Sequence, residues 1–134
     1  MRSAVRVLDS YSLIAYIEGE AGKEIMIEVF RSARDSAKHL YLSVVNWGEI
    51  YYITLREAGR EQADYVAHII STLPIQIVPA DMELTKQAAE FKAEHKMSYA
   101  DCFAAALAKQ RNAELVTGDD EFKQVESEVK ILWL

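Results

Sequence analysis

The sequence predicts an α/β fold in which a mainly parallel, five-stranded sheet is covered by helices on both faces. Short apolar segments alternate along the chain with longer segments whose apolar residues recur at helical spacing. The apolar segments are continuous, which is typical of parallel strands that are buried on both faces.

The length and composition indicate one domain over residues 1–134. The chain has 134 residues, of which 51% are hydrophobic, and a chain of this size can bury roughly two-thirds of its unfolded surface. A single cysteine, Cys102, excludes an internal disulfide and suits a reducing compartment. The N-terminal apolar run is too short for a signal peptide or a membrane span. We therefore expect a soluble, cytoplasmic protein with no membrane association.

The first strand and helix follow directly from the N-terminal pattern. Residues 4–8, "AVRVL", are predicted to form a buried strand. A helix from Ser10 to about Glu18 follows, and Gly19 and Gly22 end it.

The second strand lies between two helical segments. Residues 23–38 are predicted to be helical, and residues 40–45, "LYLSVV", are predicted to be the second strand. Residues 47–58 form the next helix, which ends at Gly59, a residue favoured just after a helix. The apolar residues on or near one face of the first of these helices are Ile25, Ile27, Val29, Phe30 and Ala33.

The second half continues the same alternation. "IQIV" (75–78) lies between two prolines and is the third predicted strand. The remaining predicted elements are helices at 61–73, 81–96 and 98–111 and strands at 114–117 and 129–134.

Acidic residues follow three of the predicted strands. Asp9 comes directly after the first strand, Glu49 lies just past the second, and Asp119 and Asp120 follow the fourth. Asp101 lies in the first turn of an alanine-rich helix that can pack close to its neighbours. Ligands of open parallel sheets bind beyond the carboxyl ends of the strands, so we expect these carboxylates to converge there.

Each acid also has a local explanation, because acidic side chains commonly cap helices. Taken singly, this explanation is the simpler one, and only the joint pattern favours a shared site. The candidate caps are Asp9, Asp119 before Glu121, and two pairs with capping-box spacing, Ser98 with Asp101 and Asn46 with Glu49.

Four ionised carboxylates in one place require compensation. At a separation of about 5 Å they repel by roughly 3 kcal/mol per pair at an effective dielectric constant of about 20. Such a cluster must bind a cation or take up protons. A site built of oxygen ligands suits Mg²⁺ or Mn²⁺, and one or two such ions promote phosphodiester cleavage.

Four motifs resemble those of a known family. "VLDSYSLIAYI", "NWGEIYY", "SYADCFAAALA" and "LVTGDDEF" resemble, in this order, the acidic motifs of PIN-domain ribonucleases, and the length and spacing resemble VapC toxins of toxin–antitoxin pairs. The resemblance implies a three-layer α/β/α sandwich and a Mg²⁺- or Mn²⁺-dependent endoribonuclease that acts on RNA. It also implies a cognate antitoxin as partner and favours a homodimer.

The resemblance assigns the catalytic and metal-binding roles to four acids. Thr117 and Phe122 also fit the last motif, T-x-D-x-x-F, in which Asp120 occupies a variable position. Thr117 is expected to orient a carboxylate or a water, and Ser10 is a weaker candidate for the same role. The four acids are Asp9, Glu49, Asp101 and Asp119.

Tyr11 departs from the family pattern, since many relatives carry a small residue or a hydroxyl at this position.

The net charge of the chain bears on how it could bind nucleic acid. The net charge of −6 argues against non-specific coating of nucleic acid. It is compatible with an enzyme that meets phosphate through a bound cation.

Other phosphate enzymes fit the pattern less well. A haloacid-dehalogenase-type phosphatase needs a second acid two residues after the first, where this chain has Tyr11. A response-regulator receiver needs an acidic pair after the first strand and an aspartate after the third, where this chain has Pro79. A catalytically inactive PIN-like domain that only binds a partner remains an alternative, although the complete set of four acids argues against it.

Overall fold

The computed structural model describes residues 5–36 and 39–134 and contains a five-stranded parallel sheet. The strands are β1 (Arg6–Leu8), β2 (Leu40–Ser43), β3 (Ile75–Val78), β4 (Glu114–Thr117) and β5 (Ile131–Trp133). The strand order is β3-β2-β1-β4-β5, and every neighbouring pair is parallel. This confirms the predicted sheet.

Helices cover both faces of the sheet, so the predicted three-layer arrangement is also confirmed. The helices are α1 (Ser10–Glu18), α2 (Lys23–Asp35), α3 (Val44–Ala58), α4 (Arg60–Thr72), α5 (Met82–Glu94) and α6 (Tyr99–Gln110). One hydrophobic cluster joins one face of the sheet to α1–α4, and a second cluster joins the other face to α5 and α6.

The two central strands divide their side chains between the two layers. Val7 and Leu115 belong to the cluster with α5 and α6, while Leu8 and Val116 belong to the cluster with α1–α4. All four side chains are fully buried. Successive side chains of a strand point to opposite faces, so a strand covered on both sides must be apolar throughout.

The boundary between the second strand and the third helix was predicted wrongly. The strand ends at Ser43, and α3 begins at Val44, not at residue 47. Ser43 is the N-cap, because its hydroxyl accepts a hydrogen bond from the backbone N–H of Val45 at 3.2 Å. β-branched residues favour strands, but here the serine cap places two valines in the first turn of a helix.

The predicted buried face of the second helix was wrong in part. Ile25 and Ile27 are each 38% exposed, and Met26 is fully buried in their place, together with Val29, Phe30 and Ala33. The predicted ends at residues 4 and 38 lie outside the described residues, and this helix ends at Asp35. The other predicted ends agree within one or two residues. A 3-10 helix at Asp120–Val125, which was not predicted, follows β4.

Candidate active site

Asp9 is both a helix cap and the buried start of an acidic site. It follows β1, is 1% exposed and accepts a hydrogen bond from the backbone N–H of Ser12 through Oδ1 at 2.8 Å. Its other oxygen, Oδ2, accepts a hydrogen bond from the Thr117 hydroxyl at 2.5 Å. The capping explanation of Asp9 is therefore correct, but it accounts for only one of the two carboxylate oxygens.

Thr117 connects the first acid with the last. Leu8 lies opposite Val116 in the sheet, so Asp9 and Thr117 leave their strands at the same level. The fully buried Thr117 hydroxyl donates to Asp9 and accepts a hydrogen bond from the backbone N–H of Asp119 at 3.0 Å. The structure thus gives Thr117 the orienting contact that its position in the motif predicted.

Glu49 lies one turn into α3 and is held by the helix that follows Asp9. The hydroxyl of Ser10 donates a hydrogen bond to Glu49 Oε1 at 2.5 Å. Ser10 is itself only 7% exposed. Through this contact, the residue after Asp9 fixes the position of the second predicted acid.

The predicted capping pair of Asn46 and Glu49 is wrong. Asn46 lies inside α3, because the cap of that helix is Ser43. The fully buried Asn46 amide donates from Nδ2 to the carbonyl oxygen of Ala100 at 3.2 Å. It therefore ties α3 to the first turn of α6.

Asp101 reaches the same edge from the first turn of α6. Ser98 caps this helix by accepting a hydrogen bond from the backbone N–H of Asp101 at 3.1 Å. The carboxylate belongs to a residue that is only 8% exposed. The small alanine side chains of α6 are buried along the helix, which allows its first turn to lie close to the strand ends.

A group of three carboxylates lies at this edge. Asp101, Asp119 and Glu121 each offer an oxygen atom, and these atoms lie within 4.8 Å of one another. Among the described residues this is the one group of acidic, histidine or cysteine side chains close enough to hold a metal ion. Asp9 and Glu49 lie outside this group of three, although both act on the charge of Asp101.

Glu121 was not predicted as a site residue. Asp119 Oδ1 accepts a hydrogen bond from the backbone N–H of Glu121 at 2.9 Å, so Asp119 caps the 3-10 helix as the capping explanation required. This tight turn directs the carboxylates of residues 119 and 121 to the same place. The intervening Asp120 has an 86% exposed side chain and pairs with Lys123 at 3.4 Å, in agreement with its variable position in the motif.

The carboxylates perturb one another strongly. Burial raises the pKa of Asp101 to about 8, assisted by a hydrogen bond with the Glu121 carboxyl and by the negative charges of Asp119, Asp9 and Glu49. Burial also raises the pKa of Asp9 to about 6, against the lowering effect of its hydrogen bonds with Thr117 and Ser12. All four predicted acids thus share one electrostatic environment, in which the negative charge lacks compensation.

The arrangement suits a hard divalent cation. Its ligand atoms are carboxylate oxygens, and the partly exposed Asp119 and exposed Glu121 leave it accessible from solvent. Oxygen ligands of this kind favour Mg²⁺, Ca²⁺ or Mn²⁺ over metals that prefer nitrogen or sulfur. Cys102, which follows Asp101, is fully buried.

Comparison with known proteins finds a family whose model matches most of this chain. A family model described as the PIN domain matches residues 6–128 of the chain. That range contains all four predicted acids and Glu121. A comparison with curated proteins finds no match.

Solved structures with the same fold include several toxin–antitoxin proteins. VapBC2 from Rickettsia felis, bound to a DNA fragment from its promoter, superposes with a TM-score of 0.77 at 18% identity, over 97% of this chain and 98% of that one. Mycobacterium tuberculosis VapC20, a toxin that cleaves the sarcin-ricin loop, has a TM-score of 0.71 at 17% identity over 90% and 94%. VapBC-5 from the same organism, a member of a toxin–antitoxin family, has a TM-score of 0.68 at 20% identity over 98% and 100%.

No helix among residues 5–36 and 39–134 has the length and apolar character needed to cross a membrane.

Proposed function

The chain belongs to the PIN domain family, and on this premise we propose that it is a metal-dependent endoribonuclease that cleaves RNA phosphodiester bonds. The observation that carries the proposal is the convergence of acids from four separate segments of the chain. Asp9 follows β1, Glu49 lies in α3, Asp101 begins α6, and Asp119 follows β4. Local capping explains one oxygen of Asp9 and one of Asp119, but not why these segments meet at one edge.

The metal would be held first by Asp101, Asp119 and Glu121, with Asp9 and Glu49 close by. Mg²⁺ and Mn²⁺ fit this set of oxygen ligands, and one or two such ions would be bound. A bound ion of this kind supplies an activated water and stabilises negative charge on the phosphate.

The chain's own residues supply orientation. The Thr117 hydroxyl holds one oxygen of Asp9 and the backbone N–H of Asp119, so both acids keep a fixed position relative to each other. Ser10 does the same for Glu49. Hydrogen bonds to such outer residues commonly matter for a metal site nearly as much as the ligands do.

The proposal is tested by incubating the purified protein with a structured RNA in Mg²⁺ or Mn²⁺. We expect cleavage that EDTA abolishes and that returns when the metal is restored. Asp119→Asn is expected to lower the rate by about 100-fold or more, because loss of a residue that merely supports a ligand already costs about 10- to 100-fold. The matched control is the adjacent Asp120→Asn, which should cleave at the wild-type rate because Asp120 points into solvent and pairs with Lys123.

Equal cleavage by wild type and Asp119→Asn would identify a contaminating nuclease. Cleavage that persists in EDTA would contradict the metal dependence. If the protein binds RNA or protein partners but never cleaves RNA, the inactive PIN-like alternative is favoured.

We further propose that the nuclease acts in the cytoplasm as the toxin of a type II toxin–antitoxin pair. Support comes from the shared fold with VapC20, a toxin that cleaves the sarcin-ricin loop, and with members of VapBC toxin–antitoxin systems. In this function a cognate antitoxin is the partner, and a homodimer is the expected assembly.

The toxin assignment predicts growth arrest on expression of the chain alone. Co-expression with the product of the neighbouring gene is expected to restore growth, and a tagged chain should co-purify with that product. Asp119→Asn should remove the toxicity but keep the co-purification, because it replaces one carboxylate of the acidic site with an amide of similar size and leaves the rest of the protein surface unchanged. Harmless expression of an RNA-cleaving wild-type protein would contradict the toxin role without touching the nuclease proposal.

A further inference from the structure

Two half-exposed tyrosines stand beside the acidic site. Tyr11 lies two residues after Asp9 at the start of α1, and Tyr99 lies two residues before Asp101 at the start of α6. Each is 45% exposed. Because α1 and α6 both begin at the edge where the carboxylates meet, both residues lie at that edge.

The Tyr11 ring is pressed against the loop that carries Asp119. A Cβ atom on Gly118 would stand 2.4 Å from Tyr11 Cε1 and 2.8 Å from Cζ. Real Cβ atoms do not approach other atoms so closely, so only a glycine lets the ring lie here. The aromatic ring thus covers the backbone between Thr117 and Asp119 while nearly half of the residue stays in solvent.

Tyr99 is held in a similar way. Its ring packs edge-on against Phe103, with ring centroids 5.1 Å apart and an interplanar angle of 70°. Phe103 is 3% exposed and belongs to the core. A ring that is already oriented loses little conformational entropy when a ligand covers it.

The segments that carry the acids offer RNA no positively charged side chain. The segments 9–11, 44–49, 98–101 and 117–121 contain several acids and neither lysine nor arginine. Proteins usually bind nucleic acid by neutralising phosphates with basic side chains. Stacking of bases on aromatic rings is the other general source of affinity, and it needs no positive charge on the protein.

We propose that Tyr11 is a stacking platform for an unpaired base beside the phosphate to be cleaved, with Tyr99 as a second aromatic ring at the same edge. The ring would take only an unpaired base, since bases inside a duplex are stacked on one another and cannot lie on a protein ring. This inference rests on the proposed nuclease function. It assigns to Tyr11 a role in substrate choice.

The test measures binding and cleavage separately. Binding of a fluorescent 12-nucleotide unpaired RNA and of the same sequence as a duplex is followed by fluorescence anisotropy in Mg²⁺, with Asp119→Asn protein to prevent cleavage. Introducing Tyr11→Leu into this protein is expected to weaken binding of the unpaired RNA by about 5- to 150-fold, the factor that corresponds to the roughly 1–3 kcal/mol contributed by a base stacked on an aromatic ring. Tyr11→Trp should restore binding, and the duplex should bind weakly in every case.

Tyr65→Leu is the matched control. Tyr65 is 57% exposed on α4, and none of the site residues lies on that helix. In otherwise wild-type protein, Tyr11→Leu is expected to raise KM for the unpaired RNA by a similar factor and to change kcat by less than about threefold, whereas loss of a carboxylate lowers kcat. A second measurement leaves Tyr11 unchanged: an unpaired RNA carrying 4-thiouridine is expected to cross-link to Tyr11 on irradiation.

Unchanged binding in Tyr11→Leu, equal losses for unpaired and duplex RNA, or cross-links confined to other residues would overturn the inference. A protein that cleaves RNA with Tyr11-independent KM keeps its proposed function and loses only this inference. A protein that binds unpaired RNA through Tyr11 without cleaving it supports the inference and contradicts the nuclease proposal.

Discussion

Replacing Asp101 with asparagine is expected to make the metal-free protein more stable while abolishing cleavage. Burial, the hydrogen bond with Glu121 and the neighbouring acids raise the pKa of Asp101 from 3.8 to about 8. The native protein therefore binds more protons than the unfolded chain between about pH 4 and pH 8. The stability contributed by Asp101 is fully present below the lower value and is lost as the pH rises through the upper one.

Asparagine resembles the protonated carboxyl but cannot ionise. We expect Asp101→Asn to raise the free energy of unfolding at pH 8 by about 1–2 kcal/mol, a figure reduced from the full pKa shift because solvent screens the exposed Glu121 and partly exposed Asp119. The gain should disappear near pH 4, where the wild-type carboxyl is protonated in both states. Thermal unfolding in EDTA at several pH values measures the difference.

With divalent cations present, the wild type should be more stable than Asp101→Asn, the reverse of their order without metal. Mg²⁺ or Mn²⁺ is expected to raise the Tm of the wild type, because a ligand bound only to the native form stabilises it, and to leave Asp101→Asn nearly unchanged. The shift should be larger at pH 8 than at pH 6, since metal binding competes with the proton on these carboxylates.

Asp120→Asn is the control, and it should behave as wild type in every condition. The prediction is contradicted if the metal-free Asp101→Asn protein is less stable than the wild type at pH 8. That result would show that the Asp101 carboxylate stabilises the fold through its contacts.

Replacing Phe122 with alanine is expected to cost about 3–5 kcal/mol of stability, as is typical for removing a buried phenylalanine. Phe122 is fully buried in the 3-10 helix and belongs to the core cluster with α5 and α6. It directly follows Glu121, and its backbone N–H donates to the carbonyl oxygen of Asp119 at 3.1 Å. The side chain thus anchors the turn that presents both acids.

In a chain of this length the loss corresponds to a fall in Tm of about 10–20 °C. The effect of Mg²⁺ or Mn²⁺ on the Tm should also shrink, because the turn that positions Asp119 and Glu121 loses its anchor. Lys123→Ala, at the exposed next position, serves as the control and should change the Tm by no more than about 2 °C. A loss below about 1 kcal/mol in Phe122→Ala would show that the core closes around the gap and that the turn does not depend on this ring.

Prediction of the fold from the pattern of residues succeeded where strands are buried on both faces, as in β1 and β4. The third strand lies at the edge of the sheet with Gln76 and Ile77 exposed, and the two prolines around "IQIV" marked its range. The pattern failed where an apolar run crosses a boundary, as at Val44 and Val45, because a single serine cap turns strand into helix there. It also failed on α2, where neighbouring isoleucines and a methionine compete for one buried face.

The candidate site was likewise predicted in part. Asp9, Glu49, Asp101 and Asp119 were expected at one edge from their positions after strands and at a helix start, and their catalytic role stays a proposal. Glu121 was overlooked because the direction of its side chain depends on the turn that Asp119 itself caps. Its position two residues after Asp119 was the signal that the sequence offered.

The order of residues along the chain is enough to establish the strands, most helix ends and the acids that follow them, since these depend on local periodicity and capping. Tertiary structure decides which side chains meet. The register of β1 against β4 brings Thr117 to Asp9, and Gly118 admits the Tyr11 ring beside Asp119. Such contacts join residues about a hundred positions apart, and no local pattern encodes a distance that only the packing of the sheet and helices sets.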